Sequence, residues 1–179
     1  MSALNENDLR EILSQDETNV ELVKELVDSL TTSCCDRLDA YVDYVRNLMN
    51  DRQLTNPELD DVVMTIPTLL YYVGTKQEEL GIRHDVSKAG RNQVYNQIYT
   101  QISGTAGIKD ASAKAELFNE DVILCVYARA YNIIKSKIDS ATELLQSAKK
   151  VISRRMSETE LSNVAVHKTN DWGNAYDSN

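Results

Sequence analysis

The sequence has few of the residues that usually form turns: six Gly and two Pro in 179 residues. A many-stranded sheet needs frequent turns, and these usually contain Gly or Pro, so the scarcity argues against an all-β fold. With a single Phe and a single Trp, the core must be built from aliphatic residues and some of the nine Tyr. We therefore predict an all-α protein of one domain, a size that the chain length fits.

Signals for export and for membrane insertion are also missing. No apolar run approaches the roughly 20 residues that cross a bilayer, and the residues after Met1 are polar and acidic. The three cysteines, Cys34, Cys35 and Cys125, are odd in number and lack a CxxC spacing, so no disulfide framework is expected. We predict a cytoplasmic protein with buried free thiols and no membrane partner.

Motifs for catalysis are absent as well. The Gly104–Lys109 segment lacks the residue order of a phosphate-binding loop, and His84 and His167 have no neighbours with zinc-ligand spacing. Adjacent acids such as Asp60 and Asp61 point about 100° apart on a helix and rarely act on one substrate. The sequence thus predicts no enzyme activity, no metal site and no cofactor.

Apolar residues at steps of three and four predict two long helices. The first spans about 19–50 and the second about 110–157, where neither Pro nor Gly interrupts the chain. We predict an elongated, coiled-coil-like bundle in which the long C-terminal helix packs on the N-terminal one. Residues 1–157 form the single helical domain, and residues 158–179, rich in Ser, Asn and Asp, form a disordered acidic tail.

The remaining segments predict shorter helices. Asn7 is expected to cap a short leading helix, and Asn56 followed by Pro57 to start another. Pro67 should kink or split that helix before it ends at a glycine near 74–81. Residues 84–103 then predict a further helix, closed by a turn at 104–107.

The long C-terminal helix carries an apolar seam that predicts self-association. The seam continues for 28 residues from Leu124 to Ile152, too long for one antiparallel neighbour of the same chain to cover fully. We therefore predict a homo-oligomer held by five seam residues: Tyr131, Ile134, Ile138, Leu145 and Ile152.

Charge is distributed unevenly along the chain. Residues 1–61 contain five Lys or Arg against fifteen Asp or Glu, whereas residues 62–179 contain fourteen against thirteen. The segment 71–114 combines cations with tyrosines, which are the groups that single-stranded nucleic acid requires for its phosphates and unstacked bases. A second cluster of cations ends the long helix, where either a polyanion or the helix dipole could account for it.

Taken together, these features resemble the UvsY family of recombination mediators from tailed bacteriophages. That family has an L-x-Y-Y-x-G element after an N-terminal helical region, then a tyrosine-containing stretch, an Asp-containing loop and a long helix with a basic end. Leu69–Lys76 looks like that element, and the turn at 104–110 and the ending Lys149–Met156 follow in the corresponding order. The resemblance covers roughly residues 20–156, and its motifs are short.

The resemblance implies a homo-oligomer that binds single-stranded DNA in the host cytoplasm and helps a RecA-like recombinase displace the single-strand-binding protein. It implies a DNA-binding role for Tyr71, Tyr72 and Lys76. Local charge adds three further candidates: Arg83, Lys88 and Arg91. Upstream of the Tyr pair this sequence departs from the family, which tends to have Lys or Arg where two acids stand here, at 60 and 61.

Two other functions compete with this hypothesis. The chain could be a helical scaffolding or interaction protein that does not bind nucleic acid, or an inhibitor that mimics nucleic acid with its acidic N-terminal helix. A continuous exposed strip of the candidate cations would favour DNA binding. Pairing of these cations with acids such as Glu78, Glu79 and Asp85 would favour a scaffold. A densely exposed acidic face on residues 16–61 would favour an inhibitor.

Overall fold

The structure, a computed structural model, describes residues 5–15 and 20–173, with side chains for 5–14 and 20–162. Within these residues it contains five α-helices and no β-strand: α1 (Glu6–Gln15), α2 (Val20–Asp51), α3 (Asn56–Gln101), α4 (Ala106–Glu116) and α5 (Phe118–Gly173). The all-α prediction is confirmed. No helix in this part of the chain combines the length and the apolarity needed to cross a membrane.

Helices α2, α3 and α5 form an up-down-up bundle. Arg155 of α5 donates to the side-chain oxygen of Asn56, the first residue of α3, at 2.6 Å. Arg91, late in α3, pairs with Asp121 at the start of α5, so α3 and α5 are antiparallel. The α2 helix runs antiparallel to α3, since the Tyr41 hydroxyl donates to Asp61 at 2.6 Å. Helix α5 packs on α2, as predicted, and still more extensively on α3.

One continuous apolar core joins these helices. It includes Leu30 and Leu38 of α2, Ile66 of α3, and Tyr127 and Ile134 of α5, all of which are almost fully buried. Burial of aliphatic and aromatic surface of this kind is the main term that stabilises a fold. Because most of the core comes from helices distant in sequence, the bundle and not the single helix is the stable unit.

Helix α3 begins at a well-defined cap. The Glu58 carboxylate accepts hydrogen bonds from the backbone N–H and the hydroxyl of Thr55, both at 2.8 Å, and pairs with both Arg52 amino groups at 2.5 and 2.8 Å. These bonds, first those from Arg52, lower the pKa of Glu58 to about 2. The capping residue is thus Thr55, one position before the predicted Asn56.

The predicted break of α3 does not occur. The helix continues for 46 residues, through Pro67 and past the glycines at 74 and 81. The segment 84–103, which was predicted as a separate helix, belongs to α3 as far as Gln101. Ile66 and Val73, on either side of the proline, are both buried in the same core. A proline inside a helix costs about 3 kcal/mol. The burial of both residues offsets that cost.

The predicted long helix is interrupted once. Helix α4 ends at Glu116, and Leu117, with φ −95° and ψ 9°, separates it from α5. The Leu117 side chain is fully buried, so tertiary packing breaks the helix where no Pro or Gly stands. Helix α4 begins after Thr105 rather than at the predicted cap, Asp110, and follows a turn in which Gly104 has a φ of 135°.

Both ends of the chain also differ from the sequence prediction. At the start, the Asn5 side-chain oxygen accepts bonds from the N–H groups of Asn7 and Asp8, so Asn5 caps α1 instead of Asn7. At the other end, α5 continues beyond the predicted boundary at 157 to Gly173, and all side chains from 156 to 162 are exposed. Part of the predicted tail, 158–173, is thus helical, and residues 174–179 lie outside the described residues.

Candidate nucleic-acid-binding surface

Tyr71 and Tyr72 lie on the outer side of α3. Val73 points into the core, and successive helical residues are turned by about 100°, so both preceding rings point toward solvent. Tyr71 is 74% exposed and Tyr72 63%. Their ring centroids are 5.7 Å apart at an interplanar angle of 76°, an edge-to-face pair. The bundle leaves both rings outside its core.

Lys76 lies one helical turn after Tyr72. Its ammonium group is 2.9 Å from the Glu79 carboxylate, and both side chains are exposed, 53% for the lysine and 42% for the glutamate. Bonding first to Lys76 and then to Arg83 lowers the pKa of Glu79 below its usual value. Exposed ion pairs of this kind contribute about 0–1 kcal/mol. The pair leaves Lys76 available to a stronger anionic ligand.

Arg83 and Arg91 are held in ion pairs. Arg83 donates to Glu79 at 2.6 Å and is itself only partly exposed. Arg91 donates to Asp121 of α5 at 2.8 and 3.3 Å, and its guanidinium lies 5.7 Å from the ring centroid of Tyr95. The Arg91–Asp121 pair joins α3 to α5, whereas the Arg83–Glu79 pair lies within α3.

Tyr95 and Tyr99 belong to the junction of α3 and α4. Their rings stack with centroids 5.8 Å apart, and the Tyr95 hydroxyl donates to Asp110 at 2.8 Å. Lys109 lies 5.6 Å above the Tyr99 ring, and Lys114 pairs with Asp110. This cluster satisfies its own polar groups.

Lys88 is exposed and has no ion pair within the described part of the chain, but it is remote from the Tyr pair. Twelve residues separate it from Lys76, about 18 Å along a helix. The outer surface between them carries Glu78 and Asp85, and the Asp85 side chain is 82% exposed. The six predicted residues therefore do not form one strip. Tyr71, Tyr72 and Lys76 lie together, Arg83 shares Glu79 with Lys76, and Lys88 and Arg91 lie elsewhere.

The seam predicted for self-association is largely buried within the single chain. Ile134 and Leu145 belong to the core, and Ile138 and Ile152 pack against it while partly exposed. Tyr131 packs beside Gly81, where an added Cβ would come within 3.4 Å of the ring. Two neighbours, α3 and α2, cover most of the seam, so its length does not by itself require another copy of the chain. Self-association itself stays a prediction.

The sequence reasoning missed two groups of residues. Tyr127 is fully buried, and burial raises the pKa of its phenol. The predicted seam was displaced by one residue in this region, where it used Leu124 and Ala128. The second group comprises exposed apolar residues on the outer side of α3: Met64, Ile82 and Val86. Met64 and Ile82 are eighteen residues apart, and Ile82 and Val86 are four apart. Both spacings are close to whole helical turns, so the three side chains lie on one side of the helix, and this pattern could have been found in the sequence.

Acidic residues on α2 alternate with cations. Exposed acids such as Asp36 and Asp43 stand beside exposed Arg37 and Arg46, and Asp39 pairs with Lys137 of α5. The face is acidic but not continuous, which gives the inhibitor hypothesis little support.

Among the described residues no group of three or more His, Cys, Asp or Glu side chains is arranged to hold a metal ion. Of the three free cysteines, Cys35 is buried, Cys34 is partly buried and Cys125 is exposed, so the prediction of buried thiols was wrong for Cys125. Burial raises the pKa of the Cys35 thiol to about 11, which makes it a poor nucleophile.

Comparison of the chain with protein-family models, with curated proteins and with solved structures finds no match.

Proposed function

We propose that the protein is a non-enzymatic, helical accessory factor that binds single-stranded DNA through Tyr71, Tyr72 and Lys76. The observation that carries this proposal is the exposed Tyr pair, two adjacent aromatic rings that α3 presents to solvent. Scattered single apolar residues are normal on a surface, but adjacent aromatic rings beside a cation are typical of sites that stack bases.

The energetics of the site are compatible with that ligand. Each stacked base contributes about 1–3 kcal/mol, more than the exposed Lys76–Glu79 ion pair is worth. A phosphate can therefore compete with Glu79 for Lys76 while the rings hold the bases. Arg91 is left out of the proposed site because its ion pair with Asp121 joins α3 to α5. Arg83 is left out because its side chain is 29% exposed, against 53% for Lys76.

The biological role follows from the resemblance to the UvsY family. We propose that the protein assists a RecA-like recombinase in phage recombination, repair or replication, and that it acts as a homo-oligomer against the single-strand-binding protein. The residues that the resemblance selects, Tyr71, Tyr72 and Lys76, are the ones that lie together at the surface. This agreement supports the role.

Fluorescence anisotropy with labelled oligo-dT tests the site. Tyr72→Ala should weaken binding by about 1–3 kcal/mol, about 5- to 150-fold, at every salt concentration, because stacking is not electrostatic. The matched control is Tyr44→Ala, which removes a tyrosine that is also exposed but belongs to α2. Equal losses in both variants would argue against a site on α3.

A second candidate function is protein–protein interaction. The exposed apolar residues Met64, Ile82 and Val86, together with the ion-paired state of Arg83 and Arg91, favour a helical scaffold. If the wild type does not bind oligo-dT even at low salt, this function replaces DNA binding.

A further inference from the structure

The middle of α5 concentrates positive charge. Between Arg129 and Arg154 there are six Lys or Arg against two Asp or Glu, a net charge of +4 in a protein whose total is −9. The six cations are Arg129, Lys135, Lys137, Lys149, Lys150 and Arg154. Such a concentration of one sign on one helix requires a physical reason.

Most of these cations are not used by the fold. Lys137 pairs with Asp39 of α2, and Arg154 pairs with Glu158 one turn later. The other four are exposed, and none makes an ion pair or a side-chain hydrogen bond within the described residues: Arg129, Lys135, Lys149 and Lys150. Intramolecular pairing therefore does not explain them, in contrast to Arg83 and Arg91 on α3.

The helix dipole does not explain them either. Cations stabilise the C-terminal end of a helix only within its last turn. Helix α5 continues to Gly173, which lies 23 residues beyond Lys150, about 35 Å along the axis. The dipole would account for these cations only if the helix ended near 157.

The uncharged residues of this face are mainly small and polar. Exposed side chains between the cations include Asn132, Ser136, Ser140, Gln146 and Ser153. Hydroxyl and amide groups beside Lys and Arg are the usual donors to phosphate oxygens. The one aromatic residue of α5 between Arg129 and Arg154, Tyr131, is only partly exposed and packs beside Gly81. The chemistry of this face fits a chain of phosphates.

We propose that the outer face of α5 binds the phosphodiester backbone of a nucleic acid by charge, independently of the bases. This inference rests on the proposed function, because the expected ligand is the same single strand of DNA whose bases Tyr71 and Tyr72 contact. The two surfaces then have different tasks: α3 contacts bases, and α5 contacts phosphates.

The test replaces three lysines of this face by glutamine, which removes their charge and preserves helix propensity. Each neutralised phosphate on a single strand contributes about −0.7 to the slope of log affinity against log salt. The variant Lys135→Gln/Lys149→Gln/Lys150→Gln should flatten the slope for oligo-dT by about 2.1 units. When the salt concentration rises fourfold, the affinity of the variant for oligo-dT should therefore fall about 20-fold less than the affinity of the wild type.

Two control variants isolate the role of position and charge. Lys24→Gln/Arg37→Gln/Arg46→Gln removes three exposed cations from α2 and should leave the slope unchanged. The same three α5 lysines replaced by arginine should retain the wild-type slope, because the charge is kept. Circular dichroism checks that all variants keep their helicity, and equal slopes for the two glutamine variants overturn the proposal.

An abasic strand separates this proposal from the proposed function, because it has phosphates but no bases. The wild type should bind it with a salt slope that the α5 glutamine variant loses and that Tyr72→Ala keeps. Oligo-dT binding with an unchanged slope in the α5 variant overturns this inference and leaves the function. Binding of the abasic strand through α5, together with oligo-dT binding that Tyr72→Ala leaves unchanged, overturns the α3 site and leaves this inference. Binding of neither strand overturns both.

Discussion

The stability of an Ile134→Ala variant shows whether this residue lies in the core of a single chain or in an interface between two chains. The Ile134 side chain is fully buried among α2, α3 and α5, so its truncation should cost about 2–5 kcal/mol in transfer and cavity terms. For a chain of this length that is a fall in Tm of about 4–20 °C. Ile133→Ala is the matched control: the same change at the next residue, which is 36% exposed, should cost less than about 1 kcal/mol.

The assay is urea denaturation followed by circular dichroism at two protein concentrations tenfold apart. If Ile134 stabilises the monomer, the Ile134→Ala loss should be the same at both concentrations. Two results would refute the reasoning. One is an equal loss at Ile133; the other is a wild-type midpoint that rises with protein concentration, with a rise that Ile134→Ala abolishes, because that behaviour belongs to a subunit interface.

Two further predictions concern α3. Arg52 and Thr55 hold the pKa of Glu58 at about 2, below its ordinary value of 4.5, so this carboxylate stabilises the fold above pH 4.5 and loses its effect as pH falls toward 2. The Tm difference between wild type and Glu58→Gln should therefore be largest above pH 5 and disappear near pH 2. Gly74→Ala should stabilise by about 0.5–1 kcal/mol in denaturant titrations, since its surroundings are open, whereas Gly81→Leu should destabilise by forcing Tyr131 away.

The helical class and the α2 boundaries could be predicted because they depend on local patterns. Few Gly and Pro, and apolar residues at steps of three and four, predicted α2 as about 19–50, and the structure has Val20–Asp51. Such patterns report which face of a helix is apolar, and that face is buried wherever the helix packs.

The errors in the fold arise where tertiary packing outweighs local preference. The helix passes through Pro67 because the core on both sides of it holds α3 together, and it breaks at Leu117 because that side chain is buried. The sequence around Pro67 or Leu117 does not show how the residue is packed in the folded protein. The one-residue displacement of the seam near Tyr127 has the same origin, since several apolar residues there could equally have faced the core.

Less of the candidate site could be predicted. The resemblance selected Tyr71, Tyr72 and Lys76, which lie together at the surface, whereas local charge selected Arg83 and Arg91, which form ion pairs. Counting cations could not reveal the Arg91 pair, because Asp121 is 30 residues from Arg91 and approaches it only in the folded bundle. The Arg83–Glu79 pair joins residues four apart on one helix, and Glu79 was among the partners that the sequence suggested.

The antiparallel arrangement of α3 and α5 has a consequence for the order of folding. At the end joined by α4, Arg91 and Asp121 are 30 residues apart in the chain, while at the open end Asn56 and Arg155 are 99 residues apart. Closing the shorter loop costs less entropy. We therefore expect α3 and α5 to make their first contacts beside α4 and to form the remaining contacts progressively toward the open end. Helix α4 then sets the folding rate of the bundle, and a longer connection there would slow folding while leaving the core unchanged.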